Sequence, residues 1–109
     1  MQSYGGGRFR IAGEVHEGSV LVALEATLAW PVADASAIAV DNLEPVLGDG
    51  GILVIGCGPT FRAPPPELRA ALKARGVSLE WMDTGAACRT FNVLLTEERA
   101  AVAALIAVD

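Results

Sequence analysis

The chain has 109 residues, of which 52% are hydrophobic and 19% are charged, and its formal net charge is -5. This length predicts a single domain over residues 1–109, and the apolar fraction predicts a folded core rather than disorder. No apolar run reaches the roughly 20 residues of a membrane-spanning helix, and the acidic balance argues against nucleic-acid binding, which needs clustered lysine and arginine.

The acidic residues are concentrated in the first half of the chain. Residues 1–54 carry seven acidic residues against Arg8 and Arg10, and no lysine or arginine lies between Ile11 and Phe61. A partner that is drawn to this region by charge would therefore be basic. The first residues also lack the basic start and apolar stretch of a secretory signal, which predicts a cytoplasmic protein.

The first predicted elements form a small antiparallel β unit. Phe9 and Ile11 alternate with arginines, and the same period-two pattern resumes at Val20, Val22 and Leu24. Glycines at positions 13 and 18 are suited to the tight turns that join such strands. We therefore expect one or two antiparallel strand pairs here.

The middle of the chain predicts a strand, a helix and a second strand. Asp41 and Glu44 have the spacing of a capping box, with Asp41 as the N-cap, and predict a short helix that runs through about Leu47. Residues 52–55 form a continuous apolar run, typical of a strand at the centre of a sheet. Residues 66–75 predict a helix and residues 77–82 a second strand, which together make a right-handed βαβ unit with parallel strands.

The end of the chain predicts a helix that begins at Asp83 or Thr84, followed by an ambiguous tail. Residues 100–108 contain alanines that favour a helix, but the segment is short and apolar on every face, as in a buried strand. Local preferences slightly favour the helix.

Two loops offer a candidate small-molecule pocket. They follow the two strands of the βαβ unit, and ligands in open α/β sheets bind at such strand ends. Prolines in the first loop remove backbone donors, so its glycines are interpreted as permitting a tight turn rather than holding a phosphate. The candidate pocket residues are Gly56, Cys57, Gly58, Arg62, Asp83, Thr84, Cys88 and Arg89.

No catalytic residue, metal or cofactor is predicted. His16 is the only histidine, and with two cysteines 31 positions apart it makes no common zinc pattern. Cys57 and Cys88 are the only candidate nucleophiles, and both are interpreted as structural. Cys88 in particular falls on the apolar stripe of the last helix, which predicts burial.

Three aromatic residues are predicted to contact a partner protein. Tyr4, Trp30 and Phe61 fall in loops or at strand ends, where aromatic side chains often anchor protein–protein contacts. The alternative, which residue type and position slightly favour, is that they pack within the protein.

Several stretches of the sequence together resemble a known family. They are residues 3–9 (SYGGGRF), 13–22 (GEVHEGSVLV), 53–59 (LVIGCGP) and 82–92 (MDTGAACRTFN). The chain resembles a small domain-of-unknown-function family of bacteria and archaea, which includes the mitochondrial assembly factor 3 of NADH:ubiquinone oxidoreductase, respiratory complex I. The resemblance covers essentially the whole chain.

The resemblance implies a three-layer α/β fold with a mixed central sheet. Its last strand would run antiparallel to the others, so residues 100–108 are predicted as a closing strand rather than a helix. The family has no established enzymatic activity, and its mitochondrial members act with partner proteins in assembling a membrane complex.

These observations favour a non-enzymatic interaction module that assists assembly or membrane insertion of a respiratory-type complex, with subunits or assembly factors of that complex as partners. The alternative is a small-molecule or anion-binding protein, or an enzyme, that uses the pocket at the strand ends. A third hypothesis is self-association into a homo-oligomer through an exposed strand.

Overall fold

The computed structural model describes residue 1 and residues 3–109, and two β-sheets organise the fold. The first sheet is antiparallel and joins three strands in chain order. The second has five strands. The strand bounds are β1 Ser3–Gly5, β2 Arg8–Ile11, β3 Glu14–Glu17, β4 Val20–Val22, β5 Thr27–Ala29, β6 Ile52–Gly56, β7 Ser78–Met82 and β8 Ala101–Leu105.

The five-stranded sheet has the order β5-β4-β8-β6-β7. Strand β6 pairs in parallel with both β7 and β8, whereas β4 pairs antiparallel with β5 and β8. The sheet is therefore mixed, as predicted. Leu24 was expected to extend the β4 pattern, but β4 ends at Val22 and belongs to this second sheet rather than to the N-terminal unit.

Three α-helices connect the strands: α1 Val40–Leu43, α2 Pro66–Ala74 and α3 Thr84–Thr96. The helix α2 begins at a proline, carries Glu67 in its first turn and Lys73 in its last, and is followed by Gly76 with a φ of 73°. Each of these features favours a helix end at that position, so its bounds agree closely with the predicted residues 66–75.

The two faces of the five-stranded sheet are covered by different elements, which gives three layers. Leu53 and Ile55 of β6 lie in one core cluster with Leu68 and Leu72 of α2. Val54, between them in the strand, lies in the other cluster, which joins α3 to the three-stranded sheet. This alternation follows from the period of two along a strand.

Strand β8 differs in position and direction from the expected closing strand, which was to run antiparallel to the others. The segment is a strand, but it lies in the middle of the sheet, antiparallel to β4 and parallel to β6. The physical reason is that α3 carries the chain back along the sheet after β7, and such a helical crossover returns the next strand in parallel. Strand β6 is consequently an interior strand beside the central one.

The short helix α1 begins two residues earlier than a cap at Asp41 would place it, and it has a different cap. Asp41 is not the N-cap; the cap is Ala39, whose backbone N–H donates to Asn42 Oδ1 at 3.2 Å. The Asn42 side chain also accepts from Trp30 Nε1 and donates to the Ala37 carbonyl. Asn42 thus connects this helix to the core tryptophan.

Native-state hydrogen exchange tests the central position of β8. We expect the amides of β8 to exchange at least about 100-fold more slowly than those of the edge strand β5, because an interior strand opens only with large parts of the fold. Equal protection of β5 and β8 would contradict the strand order.

Candidate functional site

The loop after β6 and the start of α3 are joined by the buried hydroxyl of Thr84. Thr84 Oγ1 donates to the Ile106 carbonyl at 2.8 Å and accepts from the Gly58 backbone N–H at 3.1 Å. The Thr84 backbone N–H donates to the Gly58 carbonyl at 2.9 Å. One side chain therefore connects the ends of β6, α3 and β8, because its hydroxyl both donates and accepts a hydrogen bond.

Gly56 allows these elements to come this close. A Cβ atom at this position would lie 2.9 Å from both Cα and Oγ1 of Thr84. The Gly56 carbonyl also accepts from the Ile106 N–H at 3.0 Å. Of the predicted pocket residues, Gly56, Gly58 and Thr84 are thus brought together, in direct contact with one another.

Both thiols are buried and free. Cys57 is 3% exposed, and its Sγ lies 3.5 Å from the Thr60 carbonyl. Cys88 is 2% exposed on the core side of α3, and burial raises its pKa to about 11, while the positive charges of the amino terminus and Arg89 offset part of that effect. The Cys88 thiol is therefore neutral at physiological pH.

Arg62 has its ion-pair partner outside the predicted pocket. Its guanidinium lies 3.6 Å from Asp34 Oδ1. Hydrogen bonds from the backbone N–H and hydroxyl of Ser36, together with Arg62, lower the pKa of Asp34. The pair anchors the proline-rich loop to the segment before α1.

An open recess of about 450 Å³ lies at the same edge of the sheet. Asp83 and Arg89 line it, together with Tyr4 and Pro59, whereas the other six predicted pocket residues do not. Asp83 Oδ1 accepts from the Ala86 backbone N–H at 3.0 Å, as expected of a helix cap. The described residues contain no group of three or more histidine, cysteine or acidic side chains placed to hold a metal ion.

The three aromatic residues predicted to contact a partner have different environments. Tyr4 is 41% exposed and Phe61 is 62% exposed. Trp30 is only 3% exposed, so the expectation that it contacts a partner is wrong. Its indole N–H has a partner in Asn42, and its ring lies in the core cluster that covers β6.

Sequence reasoning missed an apolar surface at the opposite edge of the sheet. Leu24 lies in the turn after β4 and is 87% exposed. Its period-two spacing from Val20 and Val22 suggested an inward-facing strand residue, but the chain turns before reaching it.

The contact between Gly56 and Thr84 predicts that Gly56→Ala destabilises the protein. We expect a loss of about 1–3 kcal/mol in the free energy of unfolding, because the added methyl group meets backbone atoms that cannot move independently. Urea denaturation measures this loss. Gly48→Ala is the matched control, since a Cβ there meets no atom within 4 Å, and it should change stability by less than about 0.5 kcal/mol.

The raised pKa of Cys88 predicts a thiol that alkylating reagents barely modify in the folded protein near pH 8, since about one thiol in a thousand is then ionised. Stability should fall as pH rises from 9 towards 11, because the unfolded thiol, with its ordinary pKa of 9.0, loses its proton first. Urea midpoints measured across this range for the protein and for Cys88→Ala isolate the effect. An identical pH dependence in both would contradict it.

Comparisons with known proteins agree over nearly the whole chain. An uncharacterized protein of Rhodobacter capsulatus is 40% identical over 106 residues, covering 97% of this chain and 82% of that protein. The zebrafish (Danio rerio) NADH dehydrogenase (ubiquinone) 1 alpha subcomplex assembly factor 3 is 38% identical over 95% of this chain, and the chain spans 62% of its length.

The fold matches a crystal structure described as an outer membrane protein from Bartonella henselae. The TM-score is 0.91 at 36% identity, with 100% of this chain and 94% of that chain covered. The family model described as "Protein of unknown function (DUF498/DUF598)" matches residues 1–106. The chain therefore belongs to the DUF498/DUF598 family, which includes assembly factor 3 of NADH dehydrogenase, and its mixed α/β fold is the one expected of that family.

Proposed function

We propose that this protein is a non-enzymatic interaction module that assists assembly of a membrane-bound NADH dehydrogenase by binding a subunit or assembly factor of that complex. The observation that carries the proposal is the similarity to assembly factor 3, which extends over 95% of this chain. The chain spans about 60% of that relative's length, so the relative has further residues with no counterpart in the compared region.

The strand-end edge supports binding rather than chemistry. The Thr84 hydroxyl is hydrogen-bonded within the protein, to the Gly58 N–H and to the Ile106 carbonyl. The buried Cys88 thiol is held neutral by its surroundings. A nucleophile would need a thiolate or a neighbouring base, and neither the junction nor the helix supplies one to Cys88.

Exposed aromatic side chains at this edge supply candidate contacts for the partner. Tyr4 lines the recess beside Pro59, and Phe61 follows in the same proline-rich loop. Arg89 lines the recess as well. Aromatic residues and arginine are enriched among the residues that dominate protein–protein affinity, because each contributes a large contact area.

The described residues contain no helix that is long and apolar enough to span a membrane.

Deletion of the gene in its host tests the proposed function directly. We expect less assembled NADH dehydrogenase on native gels of the membranes and a matching loss of NADH oxidation, with restoration by the unaltered gene. An unchanged amount of assembled complex after deletion would overturn the proposal.

The same strain tests the aromatic contacts. Tyr4→Ala combined with Phe61→Ala should restore assembly several-fold less well than the unaltered chain, because truncating interface aromatic residues commonly costs more than about 1 kcal/mol each. Val15→Ala is the matched control, since Val15 is 58% exposed on another surface. Full restoration by the double variant, at equal protein level, would exclude these contacts.

A further inference from the structure

Two clefts adjoin at the edge where the parallel strands begin, opposite the recess. The first encloses about 270 Å³ and is lined mainly by apolar residues at the starts of β6 and β8. The second encloses about 740 Å³ between the three-stranded sheet, the turn after β4 and the last turns of α3. Leu24, Leu95 and Ala101 line both clefts, and we call this continuous region the amino-edge surface.

Two leucines on this surface are exposed to solvent. Leu24 is 87% exposed at the turn, and Leu95 is 39% exposed on α3. Exposing an aliphatic side chain of this size is unfavourable relative to burying it. A contiguous apolar patch of this kind, bordered by charged residues, is typical of a site that a partner covers.

The charged side chains that line the second cleft have one sign, and the amino group of Met1, which also lines it, adds one positive charge. Glu14 and Glu25 line it, and its described lining contains no lysine or arginine. His16 lies 3.9 Å from Glu14, measured from Nε2 to Oε2. Arg99 lines the first cleft, but its charge is partly balanced by Glu97 at 4.0 Å. Glu14 of β3 and Glu25 of the turn after β4 thus form an acidic wall beside the apolar floor.

We propose that the amino-edge surface binds an amphipathic segment of a partner protein. Aliphatic or aromatic side chains of the segment pack against Leu24 and Leu95, and a lysine or arginine faces Glu14 and Glu25. This inference deepens the proposed function and rests on it for the expectation that the partner is a protein. The charge complementarity selects a basic segment.

Leu24 distinguishes this occupant from a metabolite. A small-molecule site encloses its ligand and directs several polar groups at it, whereas Leu24 stands at a turn and becomes covered only by a partner with an extended surface. The first cleft has room for one or two side chains, since a cavity of about 150 Å³ already holds a benzene ring.

A second copy of the chain fits this surface less well. A two-fold contact through the same surface would place its acidic wall against itself, in a chain of net charge -5. Light scattering after size exclusion measures this alternative. A dimer that Leu24→Ser dissociates would overturn the proposal in favour of self-association.

The binding test uses two synthetic helical peptides of about 14 residues, or about four turns. Both carry leucine at positions i, i+3, i+4 and i+7; one carries lysine and the other glutamate at the charged positions. Amide chemical shifts of the isotope-labelled protein are followed during titration. We expect the lysine peptide to bind and to shift amides near Leu24, Glu14 and Leu95, and the glutamate peptide to bind at least 10-fold more weakly, on the order expected for opposed charges at an interface.

Variants identify the groups responsible. Leu24→Ser should weaken binding of the lysine peptide about 10-fold or more, and Glu14→Gln with Glu25→Gln should weaken it about 2–5-fold and reduce its salt dependence. Val93→Ser is the matched control, because Val93 is 55% exposed on α3 and lines neither cleft. It should leave binding unchanged.

The proposal is overturned if neither peptide binds, if both bind alike, or if the shifted amides lie away from the amino-edge surface. These results come from purified protein and do not depend on the deletion experiment. Normal binding of the lysine peptide together with unimpaired complex assembly in the deletion strain would overturn the proposed function alone. Failure of the peptide to bind together with impaired assembly in the deletion strain would overturn the amino-edge proposal alone.

Discussion

The fold depends on a single buried hydroxyl that three chain segments share. Thr84 bonds to the loop after β6 and to the residue after β8, while its own residue begins α3. A buried hydroxyl and its partners are stable only when all of them are satisfied together. This requirement determines where β6 and β8 end and where α3 starts. It also accounts for glycine at position 56, because a Cβ atom there would lie 2.9 Å from Thr84. The junction uses the strand-end position at which many α/β proteins place a ligand.

The two edges of the sheet consequently have different chemistry. At the carboxyl ends of the parallel strands, polar atoms bond to one another, and the aromatic side chains of Tyr4 on β1 and Phe61 on a loop are exposed. At the amino ends, glycines lie in the connections before β6 and β7, and apolar side chains line open clefts beside acidic ones. A protein with two unlike surfaces at opposite edges is suited to contact two unlike neighbours.

Elements with strong local signals were predictable from the sequence. The helix α2 has proline and glutamate at one end and lysine and glycine at the other, so local chemistry determines its bounds. The helix α3 has Asp83 as its cap. The direction of β8 was not predictable in this way, because it follows from a crossover between distant segments, and its alanines suit a helix as well as a strand. Residues 100–108 were identified as a strand only through the family resemblance.

The candidate site was predicted less well than the fold. Trp30 precedes a proline and looked like a loop residue, yet Asn42, twelve positions away, supplies the partner that lets its indole be buried. Arg62 was grouped with the pocket by its position after β6, but Asp34 is its nearest charge. Contacts between distant residues decided both outcomes, and spacing along the chain carries no information about them.

The central position of β8 also has a consequence for folding during synthesis. Strands β4 and β6 do not pair with each other; each pairs with β8, which the ribosome delivers only after α3. Until residue 105 emerges, both earlier strands have an unpaired edge, and unpaired strand edges are prone to aggregation. A nascent chain that stalls before β8 would therefore need protection of those edges, and sheet closure is coupled to completion of this strand.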